Sequence, residues 1–335
     1  MADTEENDLQ PLTPASRLFL QPLTNQVINC AVACDHPIDP AALKSEIQNS
    51  AILTHPRFCS LLVTDTRGRH HWRQTRVDLG RHVIVRPDPV SSVNGYVADL
   101  AVSSPLAADK PLWEVHVLGR AAVFRVHHAL GDGASLMSVL TSCCRRADGG
   151  VPARSPEIVA AAAGGRGWRF WTAVRVVWLS LVYVVEFVLR VVWLRDGATV
   201  VSGGDGVELW PRKLATARFR LEDMKAVKGA VDGSTINDVL FGIISSGLSR
   251  YLDMRSTIAL REGEQITGVA MVNLRKQQGL QFTSILNHRL VCNSTFTISN
   301  VIGPREKVTL AGNPVKYIRV TSSSLPHLGW LPSRW

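Results

Sequence analysis

A two-domain, layered α/β protein is what the sequence predicts, and three observations carry the prediction. Strand-like and helix-like patterns alternate in both halves of the chain, the order that stacks helices on a sheet. With 335 residues, 46% hydrophobic and 19% charged, the chain exceeds the usual size of one domain and holds material for a large core. Residues 146–167, rich in Gly, Ala and Pro, read as a linker between the halves. The expected division is a disordered leader at 1–10, an N-terminal domain at 11–145, a connecting region at 146–206 and a C-terminal domain at 207–335.

In chain order, the acidic, polar start gives way to ordered protein at Pro11–Phe19. Ala41–Ala51 has helical spacing, Phe58–Val63 is strand-like, and Thr64–Gly68 makes a turn. His70-His71 reads as a solvated strand or loop, because no turn or orienting partner follows it. Pro111–Leu118 alternates apolar and polar residues as a half-buried strand does, with Ala121–His128 as its hairpin partner. Gly133 opens a helix that runs from Ala134 to Arg145. In the second half, Ala215–Leu221 is strand-like and Glu222–Ala230 a short helix. Ser234 or Thr235 caps a longer helix, from Ile236 to about Leu252, with Asn237-Asp238 in its first turn. Ile266–Leu274 and Thr295–Ile302 read as strands.

Lys and Arg outnumber Asp and Glu by 37 to 28, an excess that suits anionic lipid or a phosphate-bearing substrate. No arginine-rich arm, zinc-finger spacing or RNP-type motif is present, so nucleic acid is not an expected partner. The six cysteines form no CxxC pair, so neither a metal site nor a disulfide framework is expected; the thiols belong in the reducing cytosol. The first ten residues hold no apolar run of the kind a cleaved secretion signal needs.

The most hydrophobic stretch is Trp171–Leu194, interrupted by Arg175, Glu186 and Arg190. As a helix, these three fall within roughly 60° of one another, with Thr172 and Tyr183 on the same side. Trp168, Trp171 and Trp193 lie near its ends, as membrane-interface aromatics do. Three readings compete: a helix lying in or crossing a membrane, a core helix of a soluble domain, or paired strands built on its many valines.

Chemistry concentrates at His127-His128-Ala129-Leu130-Gly131-Asp132-Gly133, two imidazoles at a strand end beside a turn. Strand alternation puts His128 on the face of Phe124 and Val126, and His127 on the face of Arg125. A desolvated imidazole stays neutral near pH 7 and accepts a proton, so His128 is the expected general base. No GxSxG elbow, P-loop, GxGxxG or HExxH occurs. A base without a nucleophile fits direct transfer, in which the substrate's own hydroxyl attacks.

His127–Gly133 matches the HHxxxDG signature of coenzyme A-dependent acyltransferases, and the chain resembles plant wax ester synthase/diacylglycerol acyltransferases more closely. Pro11–Phe19 looks like that family's opening motif, and Pro111-Leu112-Trp113-Glu114 like its PLWE strand. Thr235–Val239 and Val272-Asn273-Leu274-Arg275 are similar to two motifs of its second half, and Phe296–Pro304 to its SNVxGP region. The resemblance implies the two-domain fold of chloramphenicol acetyltransferase-like enzymes, with the active site in a tunnel between the halves. It implies acyl-CoA as co-substrate with no permanently bound cofactor, a long-chain alcohol or diacylglycerol as acceptor, and membrane lipid as partner. The cytosolic face of the endoplasmic reticulum membrane, or the plasma membrane, is the implied location. Residue by residue, it implies His128 as general base, His127 as its support and Asp132 as a structural support holding the turn through a charge pair. Gly133, Pro111, Leu112 and Trp113 are motif positions, and Asn237 and Asp238 an architectural pair.

The chain departs from the family in two places. Between Leu280 and Leu290 it passes almost directly from the NLR strand to the SNVxGP region, and at Leu328–Trp335 it stops where relatives continue. The second domain is therefore expected to be shortened. Two other functions stay open: a soluble acyltransferase of small alcohols or phenols, and an inactive, truncated, membrane-bound interaction protein.

Overall fold

The computed structural model describes residues 9–21, 25–87, 92–103, 105–149, 170–194, 196, 199–201, 211–255, 266–271 and 295–322. The first half contributes β1 (Leu9–Pro11), α1 (Pro14–Phe19), β2 (Val27–Cys34), α2 (Pro40–Gln48), β3 (Ser60–Thr64), β4 (His70–Gln74), α3 (Leu79–His82), β5 (Val83–Val85), α4 (Val93–Ser103), β6 (Trp113–Leu118), β7 (Ala121–His127), α5 (Gly133–Ser142) and β8 (Arg145–Arg146). The second contributes α6 (Phe170–Val192), α7 (Leu221–Gly229), α8 (Ile236–Arg255), β9 (Gly268–Met271), β10 (Phe296–Ser299), β11 (Val308–Leu310) and β12 (Asn313–Ser322).

A seven-stranded sheet in the order β5-β6-β7-β2-β12-β11-β8 is the spine of the molecule. β6 and β7 form the expected hairpin, with Trp113 opposite Val126 and Leu118 opposite Ala121. β11 and β12, from the far end of the described chain, join this sheet; β12 lies antiparallel to β2. One face carries the main core, where α2 supplies Leu43 and Ile47 and α5 supplies Leu136, Met137 and Leu140 against Ile28, Val32, Val115 and Phe124. The other face is covered by α4, with Val97 and Leu100 against Ala31, Ala33 and Val123. Mixed α/β layering is thus as the sequence predicts.

Several local expectations need correction. Leu9 and Gln10 do not belong to a leader: they pair with Arg73 and Trp72 in a small β1-β4-β3 sheet. β6 is not half-buried but buried along its whole length, because helices cover both sheet faces. Its polar members are accommodated by pairing: Glu114 meets Lys110, His116 and Arg125. Residues 215–220 form no strand and run without regular structure into α7. Most of the 146–167 linker, and the Val272–Arg275 motif with the stretch to Leu290, lie outside the described residues.

The Trp171–Leu194 segment resolves to a helix, which removes the paired-strand reading. It is no core helix either: Val177, Leu181, Val184, Val188 and Val192, spaced three and four apart on one face, are between 51% and 69% exposed. Among the described residues no helix is long and apolar enough to cross a membrane. α8 buries only Leu252, leaving Val239, Leu240, Ile243, Ile244 and Leu248 half-covered.

Candidate active site

The site is assembled at the end of β7. The strand stops at His127, and His128 opens a 3-10 turn, His128–Leu130, so strand alternation does not extend to His128. His127 is 5% exposed and wholly engaged: Nδ1 accepts from the Ala129 amide at 3.1 Å, and Nε2 lies 2.9 Å from Asn25 Oδ1. These partners define a tautomer with the proton on Nε2. Burial pulls its pKa down to about 4, with His128 adding in the same direction.

His128 differs in its commitments. Its amide donates to the Gln26 carbonyl at 2.9 Å, and its ring stacks on Phe19 with centroids 3.7 Å apart. Its Nδ1 is buried without a hydrogen-bond partner among the described residues. Burial lowers its pKa below 6.5; its own carbonyl, the Asp132 charge and the Gly131 carbonyl pull the other way. Desolvation therefore does not separate the two histidines, as the sequence argument supposed. Hydrogen bonding does.

The opening motif is the missing part of this site. Thr13 caps α1, and Ser16 Oγ donates to the Ala129 carbonyl at 2.7 Å, which docks Phe19 onto His128. Phe19 and Ser16 lie in the Pro11–Phe19 motif, but no local pattern in the sequence places them or Asn25 at the site, because the Ser16–Ala129 and Asn25–His127 contacts span 113 and 102 residues. Asp132 caps α5 through its Oδ1 and the Ser135 amide at 2.7 Å, so a helix cap supports the turn. At Gly133 a Cβ would come within 3.3 Å of Val301 Cγ2, so the SNVxGP region closes directly on the first residue of α5.

The remaining motif positions frame the site. The Leu112 carbonyl accepts from the His127 amide at 3.0 Å, following Pro111 into the hairpin. Trp113 is core: its Nε1 donates to the Phe58 carbonyl at 2.8 Å and its ring stacks on His82. Asp238 forms a capping box with Thr235, and Asn237 Oδ1 accepts from Asn300 Nδ2 at 2.7 Å, joining the two second-half motifs. Beside the turn, an apolar cleft under α5 is lined by Ile28, Val126, Gly133, Leu136, Met137 and Val320.

Burial pushes the Cys30 and Cys143 thiols up to about 12 and Cys34 to about 11, so these sulfurs are poor nucleophiles. Among the described residues no three His, Cys, Asp or Glu side chains are grouped to hold a metal ion.

The buried histidines also make the fold acid-sensitive. His127 and His82 both sit at about 4 in the folded chain, through burial, against about 6.5 unfolded. Between those values the unfolded state binds more protons, so stability falls as pH drops from about 6.5 towards 4. The urea midpoint should be lower at about pH 5 than at about pH 7; an unchanged or higher midpoint would contradict this.

The profile described as "Wax ester synthase/diacylglycerol acyltransferase catalytic domain" matches residues 39–203, and "WS/DGAT C-terminal domain" matches residues 257–331. Wax ester synthase/diacylglycerol acyltransferase 11 of Arabidopsis thaliana is 27% identical, over 95% of this chain and 86% of its own length. Wax ester synthase/diacylglycerol acyltransferase 2 of the same plant is 31% identical over 81% of this chain and 62% of its own length. The first alignment runs over 426 positions although this chain has 335 residues, so roughly a hundred residues of that relative have no counterpart here. Among solved structures, a wax ester synthase/diacylglycerol acyltransferase from Marinobacter aquaeolei VT8 matches with a TM-score of 0.59 at 20% identity, covering 95% of this chain and 88% of that one. The first condensation domain of the CDA synthetase matches at 0.50 and 16% identity, covering 94% and 85%. These two likenesses establish the shared fold.

Proposed function

Since the chain belongs to the wax ester synthase/diacylglycerol acyltransferase family, we propose that it moves a fatty acyl group from acyl-CoA to a long-chain alcohol or diacylglycerol, with His128 as general base and no covalent intermediate. The observation that carries the mechanism is the contrast between the two imidazoles: both nitrogens of His127 are spent on Ala129 and Asn25, whereas Nδ1 of His128 has no hydrogen-bond partner among the described residues. Neutral His128 takes the proton of the acceptor hydroxyl as its oxygen attacks the thioester carbonyl. Collapse of the tetrahedral adduct expels the coenzyme A thiolate, and the imidazolium returns the proton to sulfur. The elevated Cys30 and Cys143 thiols and the lack of a GxSxG elbow in the sequence support direct transfer over an acyl-enzyme.

The lipid character of the acceptor is supported by α6. Its exposed valine and leucine face opposes the side bearing Arg175 and Glu186, the pattern of a helix lying in a membrane interface. We assign it that role at the cytosolic face of the endoplasmic reticulum. Purified protein should float with lipid vesicles, and Val184→Glu with Val188→Glu should abolish flotation while leaving circular dichroism unchanged. Flotation that survives both changes would contradict the assignment.

A second reading has its own observation: the missing hundred residues and the half-covered α8 suit a chain that kept the motif but lost turnover. The two are separated by supplying long-chain acyl-CoA with hexadecanol, diacylglycerol or a short-chain alcohol. Ester from either lipid acceptor supports the proposal. Ester from the short alcohol alone indicates a soluble-type enzyme, and no ester supports the inactive protein.

A further inference from the structure

Resting on that acyl-transfer reading, we infer that Asp196 is a positioning residue, which sets the catalytic turn through β10 and Val301. Asp196 lies four residues past the end of α6 and is 8% exposed. Its carboxylate gathers four donors. Oδ1 accepts from Thr267 Oγ1 at 2.7 Å, and Oδ2 from the Thr267 amide at 2.5 Å, the Thr295 amide at 3.1 Å and Thr295 Oγ1 at 2.6 Å. A buried carboxylate is costly unless its oxygens are satisfied, and Thr267 and Thr295 each supply this one with both an amide and a hydroxyl.

Those two residues are the ones that launch the parallel pair β9 and β10. Thr267 precedes Gly268 and Thr295 precedes Phe296, which are opposite each other in the register. The Thr295 amide also reaches the Thr267 carbonyl at 2.9 Å, so carboxylate and backbone fasten the same point. The Phe296 ring packs over Gly268 there, since a Cβ on Gly268 would lie 2.4 Å from it. From this anchor β10 runs straight to Asn300, tied to Asn237, and to Val301, which meets Gly133 beside the Asp132 cap. The start of β10 therefore fixes where Val301 presses on α5, and α5 begins five residues after His128.

Asp196 touches no reacting atom in this scheme; it holds a wall of the site in register. Misplacement of the turn by about an ångström costs on the order of a hundredfold in rate, so even partial loosening is measurable. Asp196→Asn keeps the shape but swaps one acceptor oxygen for a donor facing donors. Its kcat should fall by tenfold or more, with KM for acyl-CoA within twofold of wild type. Thr295→Val should behave like Asp196→Asn, whereas Thr295→Ser, which keeps the hydroxyl, should retain wild-type kcat. Equal loss in the Ser and Val variants, or an unchanged kcat in Asp196→Asn, would overturn the inference.

Amide hydrogen exchange gives a readout that needs no turnover. Asp196→Asn should speed exchange in residues 295–301 and in 128–136, while β2 and β6 stay protected. Faster exchange confined to 295–301, or spread evenly over the sheet, would overturn the positioning role. If wild type makes no ester, the acyl-transfer reading fails, and the exchange pattern alone decides whether Asp196 sets the turn.

Discussion

Replacing His128 with Ala should lower acyl transfer by roughly 10²–10⁴-fold, the usual contribution of a positioned general base. His127→Ala should cost less. His127 supports the turn through Ala129 and Asn25, and its neutral ring has no nitrogen left for an acceptor hydroxyl. The order of the two effects is the informative quantity, since both variants perturb the same turn. Phe19 links the prediction to the first motif: it stacks on His128, so Phe19→Ala should lower kcat without reaching the His128→Ala floor. Because burial holds His128 below 6.5, the acid limb of kcat/KM should fall below pH 6.5, activity being lost as the base protonates. Equal rates for wild type and His128→Ala would remove His128 from the mechanism.

The largest effect on stability is expected at Glu114, away from the chemistry. Burial pushes this carboxyl up, but hydrogen bonds from His116 and Lys110 and the charges of Lys110 and Arg125 outweigh it and hold the group well below the usual carboxylate range. Arg125 is 1% exposed and Lys110 7%. Glu114→Ala strands both cations inside the protein and should destabilise it by roughly 3–5 kcal/mol, read from urea unfolding. Removing Arg125 as well, in Glu114→Leu with Arg125→Met, should recover part of that loss, because one of the two stranded charges is gone while Lys110 remains. Since the folded pKa is depressed, the network's contribution is present above the ordinary glutamate range and is lost as pH falls below it. A double variant no better than Glu114→Ala would show that the network's value lies elsewhere than in charge compensation.

This network also marks the limit of what the sequence discloses. Alternation correctly placed the β6–β7 hairpin, but it also implied a solvated face for Glu114 and His116. Periodicity reports side-chain polarity and cannot tell water from a buried partner such as Arg125, ninety-six residues from Asn29 in sequence yet bonded to it. The caps were legible because their chemistry is local: Thr235 with Asp238, and Asp132 with Ser135, lie within three residues of each other. The site's third wall was not, because Phe19, Asn25 and Val301 reach it by long-range packing. His128 was chosen from alternation that ends one residue too early. What singles it out physically is the exhaustion of His127's hydrogen-bonding capacity. The Trp171–Leu194 stretch announced its helical stripe, whereas the exposure of its apolar face depends on tertiary packing that periodicity does not report.

Direct transfer by this chain is tested most directly in a single turnover of purified, vesicle-bound protein with long-chain acyl-CoA and hexadecanol or diacylglycerol. Ester and free coenzyme A should appear together in equal amounts, with the protein's intact mass unchanged throughout. Coenzyme A release without ester, or an acylated protein that forms and decays on the way to ester, would contradict it.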